Sequence, residues 1–200
     1  MIVIGLTGSI GMGKSITANI FRGLGVRVHD SDAAVHAIYR GAEALKVDMM
    51  FPGVLVDGAV DREALSNRVL NDQQAMKSLE NLIHPLVVED RDRFVQLARD
   101  CVDPLIVLDI PLLFEIGGVS AVDVVVVVTA PLAVQKARVL ARPGMTVERF
   151  EAIVAKQLPD SLKRKAAHYV VDTSSGLRTA KQQVCRLLHA LSSHQGSHIG

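Results

Sequence analysis

Tryptophan is absent from this sequence and aromatic residues make up only 4% of it, so a core must be built mainly from aliphatic side chains. Hydrophobic residues account for 49% of the 200 positions, which is enough for one sizeable core. Neither sign of charge is in excess, because 22 Lys and Arg oppose 21 Asp and Glu. A broadly basic surface for nucleic acid is therefore excluded, and any anion site must be local.

Cysteines and long apolar runs are also scarce. Cys101 and Cys185 lie far apart without a CxxC spacing, which favours free thiols in a reducing compartment over a disulfide or a metal site. The most apolar run, 124–128, is too short to span a bilayer. The beginning of the sequence has no pattern of a secretory signal. We therefore expect a cytoplasmic protein with no membrane or nucleic-acid partner. Its oligomeric state is left open, with a monomer favoured.

Five short apolar runs predict the strands of one sheet. The third and fourth runs are almost continuously apolar, which is typical of parallel strands covered by helices on both faces. Helical patterns fill the intervals, so we expect an α/β fold of three layers with right-handed crossovers around a five-stranded parallel sheet. The predicted strands are 2–6, 26–29, 105–110, 124–129 and 169–171.

The interval between the second and third strands is longer than a crossover needs and holds only helical signals. Asp61 is placed to cap a helix that ends near residue 70. A longer amphipathic helix is predicted over 85–101. In P-loop kinases an insertion at this point grips the acceptor substrate.

A second special stretch follows the fourth strand. Pro131 is suited to open a helix through residue 140, and Thr146 to cap another through residue 157. Two helices joined by a Pro-Gly break and carrying arginines are typical of a lid. The polar end of the chain, 192–200, is expected to fray.

The most informative motif is the run from Gly8 to Ser15, GSIGMGKS, which fits G-x-x-x-x-G-K-[ST]. It joins an apolar strand to a helix, so backbone N–H groups and the helix dipole converge on one anion. Lys14 would reach the β- and γ-phosphates of ATP, and the Ser15 hydroxyl would hold Mg²⁺. A glycine-rich turn that binds nothing is the competing interpretation. The predicted ATP-binding residues are Gly8, Gly11, Met12, Gly13, Lys14, Ser15 and Ile16.

Two carboxylates, Asp30 and Asp32, follow the second strand. They would stand at the carboxyl edge of the sheet, where ligands bind in open α/β folds. A kinase that acts on an alcohol needs a base for the hydroxyl proton, and we choose Asp32 for that role. Ser31 or Asp32 is equally well placed as an ordinary helix cap, so both interpretations stay open.

Asp109 ends the third strand, at the position of an acid that stands near Mg²⁺ in P-loop enzymes, where it would act through water. The apolar run Leu112, Leu113 and Phe114 follows it and is suited to line a wall beside the acceptor. A loop that merely packs, with Asp109 as a turn former, is the alternative.

Arg138 and Arg142 are four residues apart in the predicted lid, so one face would carry both guanidinium groups. On closure they could neutralise the charge of the transferred phosphoryl group. A solvated helix face would carry the same pattern. His84, in the long insertion, is by itself more typical of packing than of ligand binding.

These segments occur together, in this order, in dephospho-coenzyme A kinases, a family that the sequence resembles. The family pattern contains LTGGIGSGKS, V-x-D-A-D, I-H-P-x-V, D-x-P-L-L-F-E and an arginine lid. The matching positions here are 6–15, 28–32, 83–87 and 109–115, followed by Arg138, Arg142 and Gln157. The D-x-P-L-L-F-E and I-H-P segments are more specific than the P-loop, which many families share.

The sequence departs from the family pattern at several positions. Ser9, Met12 and Ile16 replace the commoner glycine, serine and threonine. Ser31 replaces alanine between the two acids, and Thr173 replaces asparagine after the last strand. These changes concern nucleotide preference and leave the reaction type unaffected.

The resemblance implies a single P-loop kinase domain that transfers the ATP γ-phosphoryl group to the ribose 3′-hydroxyl of dephospho-CoA. It makes Asp32 the base, Lys14, Arg138 and Arg142 catalytic, and Ser15 and Asp109 the metal-binding residues. It places the acceptor near His84 and the wall at Leu112, Leu113 and Phe114. Its core would cover about 1–32, 103–130 and 168–192, its acceptor-binding insertion 33–102 and its lid 131–160.

Two alternatives remain. One is a P-loop kinase with another small-molecule or nucleotide acceptor, because a fold alone does not determine the substrate. The other is a nucleotide-binding switch protein, which the absence of a guanine-reading N-K-x-D motif from the sequence disfavours.

Overall fold

The computed structural model describes residues 1–70 and 72–195, so part of the predicted frayed end, 196–200, lies outside it. The chain divides into a first unit, Met1–His29 with Cys101–Gly200, and a second unit, Asp30–Asp100. The strands are β1 Ile2–Thr7, β2 Arg27–Asp30, β3 Leu55–Val56, β4 Ala59–Val60, β5 Leu105–Asp109, β6 Val124–Thr129 and β7 Tyr169–Asp172. The helices are α1 Lys14–Gly23, α2 Ser31–Ile38, α3 Ala44–Met50, α4 Arg62–Val69, α5 Gln73–Asp100, α6 Leu132–Leu140, α7 Val147–Ala155, α8 Asp160–Ala166 and α9 Leu177–Gln195, with a short 3-10 helix at Gly118–Ala121.

The five-stranded sheet has the order β2-β5-β1-β6-β7. β1 lies between β5 and β6 and pairs with both in parallel, so Gly5 stands opposite Leu108 on one side and Val125 on the other. The predicted α/β fold with a five-stranded parallel sheet is confirmed. The strand ends match the predicted ones within one residue, because long apolar runs buried on both faces leave little ambiguity.

The core of the first unit is aliphatic, as the composition predicts. Phe21 of α1 is its one fully buried aromatic side chain among the described residues. Valines and isoleucines of β1, β5 and β6 pack there against α1 and α9. This packing fixes the carboxyl ends of the central strands, from which the loops of the candidate site emerge.

The second unit has a separate core around α5, against which α2, α3 and α4 pack. Asp61 caps α4, where its carboxylate accepts from the N–H groups of Glu63 and Ala64. The expectation of helical signals alone is wrong here, because β3 and β4 form a small antiparallel hairpin. Its two-residue turn is Asp57-Gly58, both with positive φ, and Asp-Gly is a hairpin signal that the sequence does carry.

The long helix of the second unit begins earlier than predicted. α5 starts at Gln73, and Pro85 lies inside it instead of at its beginning. Proline lacks an N–H and is usually a helix start or stop. Here Leu79 and Ile83 on the preceding turns are buried in the core of the unit, and this packing keeps the helix continuous.

Candidate functional site

Within the first unit, the phosphate loop packs against α6 and against the stretch that follows β7. Gly13 caps the beginning of α1 with φ 94°, and a Cβ placed there would meet the Thr173 side chain at 2.9 Å. Gly11 has φ 76°, and a Cβ there would lie 2.4 Å from a methyl group of Val139 on α6. Both positions need glycine for their backbone angle and for space. The GSIGMGKS spacing is therefore a requirement of the packing as well as of anion binding.

Lys14, the first residue of α1, forms an ion pair with Asp109 at the end of β5. The Nζ atom is 2.5 Å from Oδ1, and the two side chains are 14% and 2% exposed. Two motifs that are 95 positions apart in the chain thus meet at the carboxyl edge of the sheet. Ser15 follows in the same turn of α1 and is exposed.

The backbone of Ile10 in the loop is contacted by two glutamine side chains. Its N–H donates to Oε1 of Gln157 at 3.1 Å. Its carbonyl accepts from Nε2 of Gln135 at 2.8 Å. Gln135 is 3% exposed and lies on α6, whereas Gln157 is half-buried and follows α7. Both predicted lid helices are therefore attached to the loop.

Arg138 of α6 lies against the loop that follows β7. Its guanidinium donates to Oγ1 and to the carbonyl of Thr173, both at 2.8 Å. The Thr173 hydroxyl in turn donates to the carbonyl of Met12 at 2.7 Å. Thr173 is 4% exposed, and it joins the lid helix to the phosphate loop.

Glu115, the last residue of D-x-P-L-L-F-E, has a role that sequence reasoning missed. Its Oε1 lies 2.9 Å from Nζ of Lys163, whose side chain is fully buried in α8, and it also accepts from the N–H of Leu158 at 2.9 Å. Burial acts to raise the pKa of Glu115, but the Lys163 ammonium and the Leu158 N–H together hold that pKa below its ordinary value. Neither α8 nor this pair was predicted, because nothing local marks a lysine for complete burial.

Asp32 lies in the first turn of α2, in the second unit, and is exposed. The cap of α2 is Asp30, whose carboxylate accepts from the N–H of Ala33 at 3.0 Å. The alternative interpretation, in which Ser31 or Asp32 supplies the cap, is therefore wrong, because α2 already begins at Ser31. The Asp32 carboxylate is therefore not the cap of α2.

The remaining predicted residues lie in different environments. His84 is exposed in the middle of α5. Leu112 is 41% exposed, whereas Leu113 is fully buried. Phe114 between Leu113 and Glu115 is half-buried. Arg142 is exposed and lies just after α6, which ends at Leu140.

The sequence model of the dephospho-CoA kinase family matches residues 2–179. A Mesorhizobium japonicum protein named Dephospho-CoA kinase is 55% identical over 197 residues, which cover 98% of this chain and 100% of that protein. The chain belongs to the dephospho-CoA kinase family.

Two solved structures superpose on this chain. A Thermus thermophilus protein superposes with a TM-score of 0.81 at 35% identity, and the match covers 94% of this chain and 96% of that one. The Dephospho-CoA kinase from Campylobacter jejuni superposes with a TM-score of 0.67, covering 94% of this chain and 96% of that one. At 22% identity, the second likeness shows the fold alone.

Within the first unit, four of the side chains described above form two pairs. These are Lys14 with Asp109 and Arg138 with Thr173. The sequence does not predict Gln135 or Thr173 as site residues, although Thr173 departs from the family pattern. Among residues 1–70 and 72–195, no helix is long and apolar enough to cross a membrane.

Proposed function

We propose that this protein transfers the γ-phosphoryl group of ATP to the ribose 3′-hydroxyl of dephospho-CoA. The products are CoA and ADP, in the last step of CoA biosynthesis. The observation that carries the proposal is the 55% identity, over almost the whole chain, to a protein named Dephospho-CoA kinase. The phosphate loop and the D-x-P-L-L-F-E segment joined by the Lys14–Asp109 pair support it.

The phosphates of ATP bind at the beginning of α1. Gly13 caps α1 there without a side-chain hydrogen bond, and the positive end of the helix dipole favours an anion at that place. Lys14 neutralises the β- and γ-phosphates. Because Lys14 is 2.5 Å from Asp109, the lysine must share its ammonium between that carboxylate and the nucleotide.

Ser15 would hold Mg²⁺ together with the phosphates, and Asp109 would act on the ion through water. Among the described residues, no cluster of three or more His, Cys, Asp or Glu side chains could hold a metal ion. A hydroxyl and a carboxylate leave coordination positions for phosphate oxygens and water, which suits Mg²⁺. When bound, the ion supplies positive charge to the β- and γ-phosphates.

Asp32 is the proposed base. Its carboxylate takes the proton of the 3′-hydroxyl as that oxygen bonds to the γ-phosphorus, and the bond from this phosphorus to the β,γ-bridging oxygen breaks to release ADP. Asp32 comes two residues after β2, the neighbour of β5, which ends at Asp109. Asp30 caps the helix, so the two acids have separate tasks.

The lid arginines stabilise the transferred group. Arg142 is exposed and is proposed to approach the phosphoryl group when the lid closes. Arg138 acts from its place at Thr173, beside Gly13. His84 and the wall formed by Leu112, Leu113 and Phe114 are proposed to contact dephospho-CoA; of the wall, Leu112 offers the exposed surface.

Coupled measurement of ADP and CoA tests the proposal. The purified protein is incubated with Mg²⁺ and ATP, with and without dephospho-CoA, and products are identified by mass spectrometry. ADP matched by CoA is the expected result. ATP binding without CoA would overturn it, and a panel of nucleosides and small alcohols would then identify another acceptor. The cytoplasm and a monomeric state are proposed for the protein as well, and gel filtration tests the latter.

A further inference from the structure

The backbone N–H and carbonyl of Ile10 each bond to a glutamine side chain, and the two glutamines present opposite ends of their amide groups. A backbone N–H can only donate, so Gln157 must present its oxygen to it. A backbone carbonyl can only accept, so Gln135 must present its nitrogen to it. The contacts of 3.1 and 2.8 Å fit these roles. Gln157 is therefore needed only as an acceptor, and Gln135 only as a donor.

Packing alone leaves this side of the loop poorly supported. A cavity of about 280 Å³ lies beside it, and Ser9, Met12, Gln135 and Gln157 are among its lining residues. The Met12 N–H turns back to the Ser9 carbonyl at 3.2 Å, so Ile10 lies inside the tight turn. A displacement of Ile10 would be passed to the N–H groups that follow it.

We propose that Gln135 and Gln157 are positioning residues that fix the Ile10 backbone and thereby hold the phosphate loop in its anion-binding shape. We call the two contacts the Ile10 bracket. The proposal rests on the proposed phosphate-binding role of the loop. Because one glutamine lies on α6 and the other follows α7, the bracket also couples the loop to both lid helices.

Substitutions that change polarity without changing shape test the bracket. Gln157→Glu keeps the acceptor and should preserve it, whereas Gln157→Met removes the acceptor. Gln135→Glu replaces a donor by an acceptor facing a carbonyl and should break the bracket. At residue 135 the new carboxyl would be buried, so lower pH should protonate it and restore a donor. Recovery of ATP binding on acidification is thus specific to Gln135→Glu.

The direct readout is hydrogen exchange of the Ile10 amide, measured by NMR on the whole protein. Exchange should quicken about fivefold or more in Gln157→Met, as expected for the loss of one hydrogen bond, and should stay near the wild-type rate in Gln157→Glu. In kinetics, Gln157→Met and Gln135→Glu should raise KM for ATP more than KM for the acceptor. Gln182→Glu, on the exposed side of α9, is the charge-matched control and should match wild type.

The outcomes separate the bracket from the proposed function. The bracket is overturned if the Ile10 amide exchanges hydrogen equally fast in Gln157→Glu and Gln157→Met. It is also overturned if Gln157→Glu and Gln135→Glu have the same KM for ATP. Both outcomes count even when the wild type makes CoA. If the wild type makes no CoA but binds ATP, exchange and ATP affinity still test the bracket. Unfolding of Gln135→Glu at neutral pH is recognised by its circular dichroism, and Gln135→Lys, which keeps a donor, then decides. Retained ATP affinity in Gln135→Lys supports the bracket, and its loss in a folded Gln135→Lys overturns it.

Discussion

Two pairs of polar residues in the first unit contact each other, whereas the polar candidate residues of the second unit are exposed to solvent. Lys14 meets Asp109, and Arg138 meets Thr173, in environments that are largely buried. Asp32 and His84 of the second unit are both exposed. A change in the first unit should therefore alter stability and nucleotide handling together. A change at the exposed acid should alter turnover alone.

The largest expected effect is a loss of turnover caused by a change at the exposed Asp32 of the second unit. Asp32→Asn removes the proposed base and should lower kcat about 10²- to 10⁴-fold, because proton abstraction from the hydroxyl is lost. Unfolding temperature and the Kd for ATP should stay at wild-type values, since the side chain is exposed. Steady-state kinetics, calorimetry and thermal unfolding measure the three quantities. Asp57→Asn, the same change at an exposed turn of the same unit, is the control, and near-normal turnover of Asp32→Asn would falsify the assignment.

The next effect separates two roles of Lys14, which are to bind the ATP phosphates and to pair with Asp109. Lys14→Met should lower kcat/KM for ATP about 10²- to 10³-fold, because the phosphates lose a cation. It should also cost about 3 kcal/mol of unfolding free energy, because the 2% exposed Asp109 loses its ion pair. Adding Asp109→Asn should restore stability but not turnover. Denaturant unfolding and kinetics on both variants check this, and recovery of both quantities together would contradict the proposed role of the lysine.

A smaller effect concerns the pair that joins the D-x-P-L-L-F-E segment to α8. Glu115→Gln should lower the free energy of unfolding by about 2 to 3 kcal/mol at pH 7, because Lys163 is fully buried. The pKa of Glu115 is lowered in the folded protein. Its stabilisation is therefore complete above the unfolded pKa of about 4.3 and is lost as pH falls through the folded value. The difference between the proteins should shrink in acid.

Urea unfolding at several pH values measures that difference. Glu151→Gln is the matched control, because its exposed carboxylate lies 4.0 Å from Lys136 and should contribute less than about 0.5 kcal/mol. A Glu115→Gln variant as stable as this control would show that the Glu115–Lys163 pair does not stabilise the fold.

The smallest expected effect is a loss of stability from a change in the second unit that lies outside the proposed site. Gly58→Ala in the hairpin turn, where φ is 78°, should cost about 1 to 2 kcal/mol. The Kd for ATP should not change. Gly23→Ala at the end of α1, where a Cβ would meet nothing within 4 Å, should be neutral or stabilising. Thermal unfolding of both variants measures the difference. Equal stability of the two would contradict the view that the positive φ of residue 58 requires glycine.

Local chemistry explains most of what could be predicted. The strands follow from apolar runs, and the cap of α4 from Asp61. The early start of α5 and the cap of α2 at Asp30 were not predicted, because burial of Leu79 and Ile83 outweighs the proline signal and because a cap can lie one residue to either side.

The sequence by itself determined the sheet, the phosphate loop and the family, since each depends on the identity and spacing of neighbouring residues. Only the tertiary structure decided which distant side chains meet. Lys163 is buried against Glu115, and Gln135 and Gln157 hold opposite sides of the Ile10 backbone. Such contacts depend on how helices pack on the sheet, and no local pattern encodes that packing.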